Sequence, residues 1–430
     1  MELIHYAAVQ DYLFGLKAKG VKFGIDRMRL LAAEIGHPEL AVPIIHIAGT
    51  NGKGSTAAML DSILQEAGLR VGLYTSPHLV RLGERVQVNR ARLTEEEILT
   101  FTQELKGVAE RLGAVDPDDH PSFFEFMTAM AFLQFARQKC DVGIVEVGLG
   151  GELDATNIVA PTITVITSIG LDHCEMLGHS LAEIAQAKAG IIKPGVNVVI
   201  GRLPEEAEVV VRERARELNC AVISVREAFG EALAGYPATN LEGDCQQWNA
   251  ATATLVARAL MTKWPLDEAT IKRGLLTASW PARWQRFEQD GQAYILDASH
   301  NPEGAQALAY NLGKLHEVSG VKPIVVVGAL GVARAGPLLE VVAQFAEEIH
   351  LVVPHQARAC SHAELRALLP STFTGRVHAS GVEELFGASA PGVFDRTRTV
   401  VITGSIYLAG EVMAKMNPQR GSGEGHLQDF

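Results

Sequence analysis

Gly49, Thr50, Asn51, Gly52, Lys53, Gly54 and Ser55 follow a short apolar run, 43–48 (PIIHIA). They precede a segment, 56–67, whose Ala57, Leu60, Ile63, Leu64 and Ala67 share one face at helical spacing. A buried strand, a glycine-rich turn carrying Lys and Ser, and then a helix form an arrangement that grips a nucleoside triphosphate. Glycines let successive backbone N–H groups converge on phosphate oxygens, and the helix N-terminus adds the positive end of its dipole. In that arrangement Lys53 reaches the β- and γ-phosphates and the Ser55 hydroxyl meets Mg2+. The spacing is irregular. Ile47 stands where the first glycine of GxxxxGKS/T belongs, and Gly54 separates Lys53 from Ser55.

Three further strand-like runs end in polar groups. The run 141–147 (DVGIVEV) ends around Glu146 and is followed by Gly148-Leu149-Gly150-Gly151. The run 162–168 (TITVITS) leads to Asp172 and His173, and the run 71–74 leads to Thr75-Ser76-Pro77-His78. In a doubly wound sheet ligands bind beyond the carboxyl ends of the strands, so these groups would share the phosphate site. Mg2+ prefers oxygen, which suits Glu146 and Ser76 better than His173. Simpler roles stay open: Glu146 as a capping or salt-bridged carboxylate, His173 as a turn residue, Cys174 as a small packed side chain. Lys188 lies in a helical pattern, 181–191, where a lone lysine is ordinarily solvated, and pattern alone does not single it out.

The elements that must position these groups alternate along the chain. Helical patterns at 56–67, 124–138 and 181–191 separate short apolar runs at 43–48, 71–74, 141–147, 162–168 and 197–200. This predicts an α/β fold, an N-terminal doubly wound, mostly parallel sheet of P-loop type with helices on both faces. A second series of runs at 294–297, 323–328, 349–353 and 399–403 predicts a smaller C-terminal Rossmann-like α/β domain. The polar, proline-marked segment 280–291 (WPARWQRFEQDG) reads as a hinge, with the boundary near Arg286. The expected domains are therefore 1–285 and 286–416, with 417–430 a flexible tail.

Composition narrows the function classes. The 430 residues exceed one typical core, and 47% hydrophobic with 20% charged residues is an ordinary globular balance. A formal net charge of −12 argues against non-specific nucleic-acid binding. The five scattered cysteines contain no CxxC pair and read as reduced thiols. There is no signal-peptide pattern, and no uncharged apolar run approaches the roughly 20 residues that span a bilayer. A soluble, cytoplasmic protein without a membrane partner is expected.

Taken together, the motifs resemble the folylpolyglutamate synthase and dihydrofolate synthase family of the Mur ligase superfamily. The resemblance rests on GTNGKGS (49–55), TSPHL (75–79), ERV (84–86), FFEF (123–126) and EVGLGGELDATN (146–157). It continues through TSIGLDH (167–173), KAGIIKPG (188–195), WPAR (280–283), DASHNP (297–302) and TGSIYL (403–408), and spans about 23–411. It implies an ATP- and Mg2+-dependent carboxylate–amine ligase that adds L-glutamate to dihydropteroate, to a reduced folate or to both, with bifunctional activity favoured. By this resemblance Lys53, Glu146, His173 and Lys188 are catalytic, and Lys188 matches a lysine that is carbamylated in the family. Ser76, Glu146 and His173 would hold the metal. Asn249, Arg283, Asp297 and His300 would join residues 49–55 in binding ATP. Gly24, Ile25, Asp26, Arg27, Phe123, Phe124, Glu125, Phe126, Leu153, Asp154 and Ala155 match segments associated with the pterin-containing substrate. A monomer is expected.

There are departures. Glu152 stands where family members often carry arginine, Cys245-Gln246 replaces a common His-Gln, and 328–336 (GALGVARAG) lacks the usual Asp-Lys-Asp. Two other readings compete. A Mur-type cell-wall amino-acid ligase shares the ATP chemistry, but its loop typically ends GKT, and a sugar-nucleotide domain would be expected ahead of a loop that here arrives by residue 49. An ATP-binding regulatory protein without turnover draws slight support from the missing Asp-Lys-Asp.

Overall fold

The computed structural model describes residues 5–18, 24–387 and 393–417. The expected tail lies outside the described residues apart from Asn417, as does Phe23 at the start of the family resemblance. Eight strands form the first sheet: β1 Ile44–Ala48, β2 Val71–Tyr74, β3 Val86–Val88, β4 Ala91–Arg92, β5 Val142–Glu146, β6 Pro161–Ile166, β7 Val198–Ile200 and β8 Val222–Ser224. Their order is β4-β3-β2-β5-β1-β6-β7-β8. Pairing is parallel from β2 through β8, and only the β2–β3 and β3–β4 pairs at one edge are antiparallel. β1 is central and buried at every position, so its apolar residues continue rather than alternate.

Helices cover both faces of this sheet. Tyr6–Ala18, Asp26–Glu34, Glu95–Val115 and Phe123–Arg137 pack on one side around Phe126, Phe132 and Phe135. Lys53–Glu66, Asp244–Ala259 and Glu268–Thr277 pack on the other around Leu60, Ile63 and Val256. A Cβ at Gly274 would lie 2.4 Å from the Ile63 Cα, so this glycine permits the close approach of two helices. Helix Lys53–Glu66 is buried along nearly its whole length, which accounts for its weak amphipathic pattern.

The second sheet holds β9 Gln285–Gln289, β10 Gln292–Leu296, β11 Ile324–Val327, β12 Glu348–Val352, β13 Arg376–Ser380 and β14 Val400–Thr403, in the order β13-β12-β11-β14-β10-β9. All pairs are parallel except the β9–β10 hairpin. The segment read as a hinge thus holds an edge strand. β9 alternates between half-buried and exposed side chains, so its polar sequence carries no apolar run. Ala282 and Trp284 already pack into the cores flanking the second sheet. Leu79 and Val80, from the loop after β2, pack into one of those cores too, and a Cβ at Gly410 of helix Ile406–Met416 would lie 2.0 Å from the Leu79 carbonyl oxygen. No helix among the described residues is long and apolar enough to cross a membrane.

Candidate active site

The carboxyl ends of β1, β2, β5 and β6 open into a cavity of about 640 Å³ whose opposite wall comes from the second sheet and its loops. Residues 49–55, Ser76, Glu146, His173 and Lys188 line it together with Asn249, Arg283, Asp297 and His300.

The glycine loop is held by packing that excludes side chains. Gly52 caps helix Lys53–Glu66 with a left-handed backbone, φ 83°, and a Cβ there would lie 2.3 Å from the Asn249 Oδ1. A Cβ at Gly54 would meet the Trp280 Nε1 at 2.9 Å. The extra glycine in the motif therefore lets an indole lie against the first helical turn.

Two lysines converge on one carbonyl. Lys53 Nζ donates to the Gly49 oxygen at 3.0 Å and to that of Thr50 at 3.2 Å, while Lys188 Nζ donates to the Gly49 oxygen at 3.0 Å. Lys188 is only 5% exposed, and burial, helped by the Lys53 charge, pushes its ammonium down to about 7. Glu146 Oε1 lies 3.9 Å from Lys53 Nζ. Burial pushes the Glu146 carboxyl up to about 7 against the opposing pull of Lys53 and Arg283. Burial likewise drives the His173 imidazole down to about 4, although Asp172 opposes it. A buried carboxylate whose charge Lys53 offsets only in part from 3.9 Å, with a neutral imidazole and a serine lining the same cavity, is a donor set that fits a divalent cation.

The second half of the chain crosses this cleft. Asn51 Nδ2 donates to Glu303 Oε2 at 2.5 Å, and Asn51 and Asn301 exchange side-chain amide bonds at 3.1 and 3.2 Å. Asn301 also donates to Asp172 at 3.0 Å, and Arg334 pairs with the other Asp172 oxygen. Burial alone would raise the Asp172 carboxyl, but His300, His173 and Arg334 hold it well below the usual carboxylate range. Arg283 reaches the cavity from a turn in which Ala282 and Trp284 both take left-handed backbone, φ 56° and 52°.

The Mur ligase middle domain family matches residues 47–247. The folylpolyglutamate synthase of Lacticaseibacillus casei is 34% identical over 408 residues, covering 90% of this chain and 92% of its own. The chain belongs to the folylpolyglutamate synthase/dihydrofolate synthase family. Among solved structures, Escherichia coli FolC in complex with DHPP and ADP aligns with a TM-score of 0.84 at 29% identity, covering 98% of this chain and 100% of that one. A bifunctional folylpolyglutamate synthase/dihydrofolate synthase with Mn, AMPPNP and L-glutamate bound aligns at 0.81 and 33% identity, covering 96% and 98%. As in the Mur ligase fold of these relatives, the chain holds two parallel-rich α/β sheets, here on either side of the cavity.

The segments that resemble the family's pterin-binding ones also meet, but away from the large cavity. Gly24 N–H donates to the Leu153 oxygen at 3.4 Å, and Arg27 pairs with Glu125 at 3.2 Å. In the adjoining segment Asp154 accepts from the Leu149 and Thr156 N–H groups at 2.9 and 3.0 Å. A Cβ at Gly148 would strike the Phe124 ring at 2.4 Å, so the Gly148–Gly150 loop separates the two regions. Of the departures from the family pattern, Glu152 is exposed and Cys245 lines the cavity as a thiol that burial pushes up to about 12. Sequence reasoning did not assign Asn301, Glu303 or Arg334 to the site. Asn301 and Pro302 do show a signal, an N-cap followed by proline at the first helical position, which places Glu303 in the first turn facing the loop.

Proposed function

We propose that the chain joins L-glutamate to a pterin-linked carboxylate, accepting both dihydropteroate and reduced folates, at the expense of ATP bound in the cleft. The observation that carries this reading is the meeting of Lys53, Glu146, His173 and Lys188 from the first sheet with Asp297, His300 and Arg283 from the second half around one cavity. In the first step a carboxylate oxygen of the acceptor attacks the γ-phosphorus, and the β–γ bridging bond breaks with its electron pair leaving on ADP. In the second the glutamate amine attacks the acyl carbon of the acyl phosphate. Inorganic phosphate leaves with the C–O bonding pair, and the amine gives up its proton to solvent or a nearby base.

Little covalent chemistry falls to the protein, so positioning and charge neutralisation dominate. Lys53 would exchange its two loop carbonyls for phosphate oxygens. Ser76, Glu146 and His173 would hold Mg2+, which when bound offsets charge on the transferring phosphoryl group. Lys188, carbamylated, would present a carboxylate to the same site; with its ammonium pushed down to about 7, part of Lys188 is neutral amine near pH 7, the form that adds CO2 with loss of a proton. Asn249, Arg283, Asp297 and His300 would contact the nucleotide, and the two sheets closing on the cleft would keep water from the acyl phosphate. The segments at Gly24, Ile25, Asp26 and Arg27, at Phe123, Phe124, Glu125 and Phe126, and at Leu153, Asp154 and Ala155 would receive the pterin. The domains would part near Arg286, within the 280–291 segment, as 1–285 and 286–416, and we place the enzyme in the cytoplasm as a monomer.

The test is glutamate-dependent ADP release with dihydropteroate, with a reduced folate and with a UDP-sugar peptide. Turnover with the first two alone is expected. Turnover only with the UDP-sugar peptide, or with none, overturns the reading.

A further inference from the structure

We propose that Glu348, His350 and His378 form a binding site for one divalent transition-metal ion of the Zn2+ class at the edge of the second sheet, apart from the nucleotide cleft. β12 and β13 run parallel, with Glu348 opposite Arg376, His350 opposite His378 and Val352 opposite Ser380. Because side chains alternate along a strand, Glu348, His350 and His378 emerge on one face. Two ligands two residues apart on one strand and a third directly across on the next is a compact way for a sheet to gather three donors.

The donor atoms are gathered. Glu348 Oε1 lies 2.9 Å from His350 Nε2 and 3.2 Å from His378 Nε2, and all the ligand atoms lie within 4.8 Å of one another. Tetrahedral coordination with bonds of about 2.0–2.2 Å places its ligands roughly 3.3–3.6 Å apart. The set must therefore open slightly at the carboxylate and draw the two imidazoles together. His378 has the freedom for this, since its side chain is 45% exposed, whereas His350 is buried.

The groups behind these donors are also in place. His350 Nδ1 lies 3.0 Å from the Ser380 hydroxyl, which fixes the ring with Nε2 facing Glu348. The Arg376 Nη2 donates to Glu348 Oε2 at 2.6 Å, orienting the carboxylate so that Oε1 is the atom facing both rings. Such outer partners fix ligand orientation. The Phe394 ring stands edge-on to His350 at 5.5 Å and forms an apolar wall. Two imidazoles and one carboxylate select Zn2+, Co2+, Ni2+ or Cu2+ over Mg2+ and Ca2+. In the metal-free protein the two Nε2–H groups can both donate to Glu348; to hold a divalent ion each neutral ring would carry its proton on Nδ1 and offer the Nε2 lone pair. None of the three side chains lines the nucleotide cavity. The ion would staple edge strand β13 to β12, and its exposed side leaves a coordination position for water.

The test uses the full chain, tag-free and stripped of metal, in nucleotide-free buffer at pH 7.5. Bound Zn2+ is counted by equilibrium dialysis, and the melting temperature is followed with and without ZnCl2. His378→Ala, at an exposed position and checked for folding by circular dichroism, is expected to bind one Zn2+ per chain fewer than the wild type and to lose part of the Zn2+-induced rise in Tm. The same one-ion difference must persist in a His173→Ala background. Equal Zn2+ binding by wild type and His378→Ala overturns the proposal. So does a difference that vanishes in the His173→Ala background, which would assign the ion to the nucleotide cleft.

Discussion

Arg334 and Asp172 form an ion pair across the cleft, with Nη2 2.5 Å from Oδ1, the aspartate nearly buried and the arginine three-quarters so. Arg334 comes from the segment that lacks the family's Asp-Lys-Asp, and Asp172 immediately precedes His173. The departure therefore leaves no gap: a guanidinium from the second half grips the strand-end loop of the first. Removing it leaves Asp172 with Asn301 and His300. Arg334→Ala should lower kcat/KM for ATP by about tenfold, equivalent to roughly 1.4 kcal/mol, and should also lower Tm, because the nearly buried Asp172 loses its guanidinium partner. Unaltered ATP kinetics in this variant would exclude the pair from cleft closure.

Lys53→Ala should abolish glutamate-dependent ADP release, by about 10²–10³ in kcat, while far-UV circular dichroism stays native. Lys53 is 3.9 Å from Glu146 and its other partners are two loop carbonyls, so the fold does not depend on its charge. Near-normal turnover would remove the loop from the mechanism.

These contacts show which parts of the molecule were legible in sequence. β1, β2, β5, β6 and β7 are buried and read as apolar runs, because central parallel strands have two covered faces. β9 and β13 are edge strands with mixed, partly exposed side chains, and neither carries an apolar signature. The glycine loop was legible because its chemistry is local. Lys188 was not, since its importance lies in a carbonyl 139 positions away. Arg334 and Asp172 are likewise joined only by tertiary packing, and no spacing rule connects them.

Gly52→Ala tests the loop geometry. A side chain at a left-handed position costs about 1–2 kcal/mol, and here the Cβ would also press on the Asn249 amide. Asn249 is itself tied to Gln246 by a 3.0 Å bond and cannot swing away freely. The expected result is a Tm lowered by a few degrees and a raised KM for ATP. A variant with wild-type KM would show that the loop tolerates a changed backbone.

The proposed carbamylation of Lys188 would make activity depend on dissolved CO2. The lysine amine adds CO2 only when neutral, and with the ammonium pushed down to about 7 the neutral fraction rises as pH passes through 7. Carbamylation, read as a ¹³C signal from labelled bicarbonate, should increase from pH 6 to pH 8. Lys188→Ala should lose activity and recover part of it in acetate. Full activity of Lys188→Ala without additive would end the carbamate proposal.

Glu146 should make the metal-free protein less stable as pH rises, and a bound cation would offset that loss. Burial raises its carboxyl from 4.5 to about 7 in the folded, metal-free protein. The folded state thus binds more protons than the unfolded one between those values. The stabilisation from the protonated form is complete below about 4.5 and is lost as pH rises through 7. At pH 8 the metal-free protein carries a buried carboxylate 3.9 Å from one ammonium, a partly offset charge. With Glu146 in its proposed role as a Mg2+ ligand, the ion would compete with the proton, so more Mg2+ should be needed for half-maximal activity at pH 6 than at pH 8. Glu146→Gln removes the charge while keeping the shape. It should be inactive, should melt higher than the metal-free wild type at pH 8, and should lose the Mg2+-induced rise in Tm. If Glu146→Gln kept the full Mg2+ response, Glu146 would not be a ligand, and the divalent-cation site would have to rest on the remaining groups of the cleft.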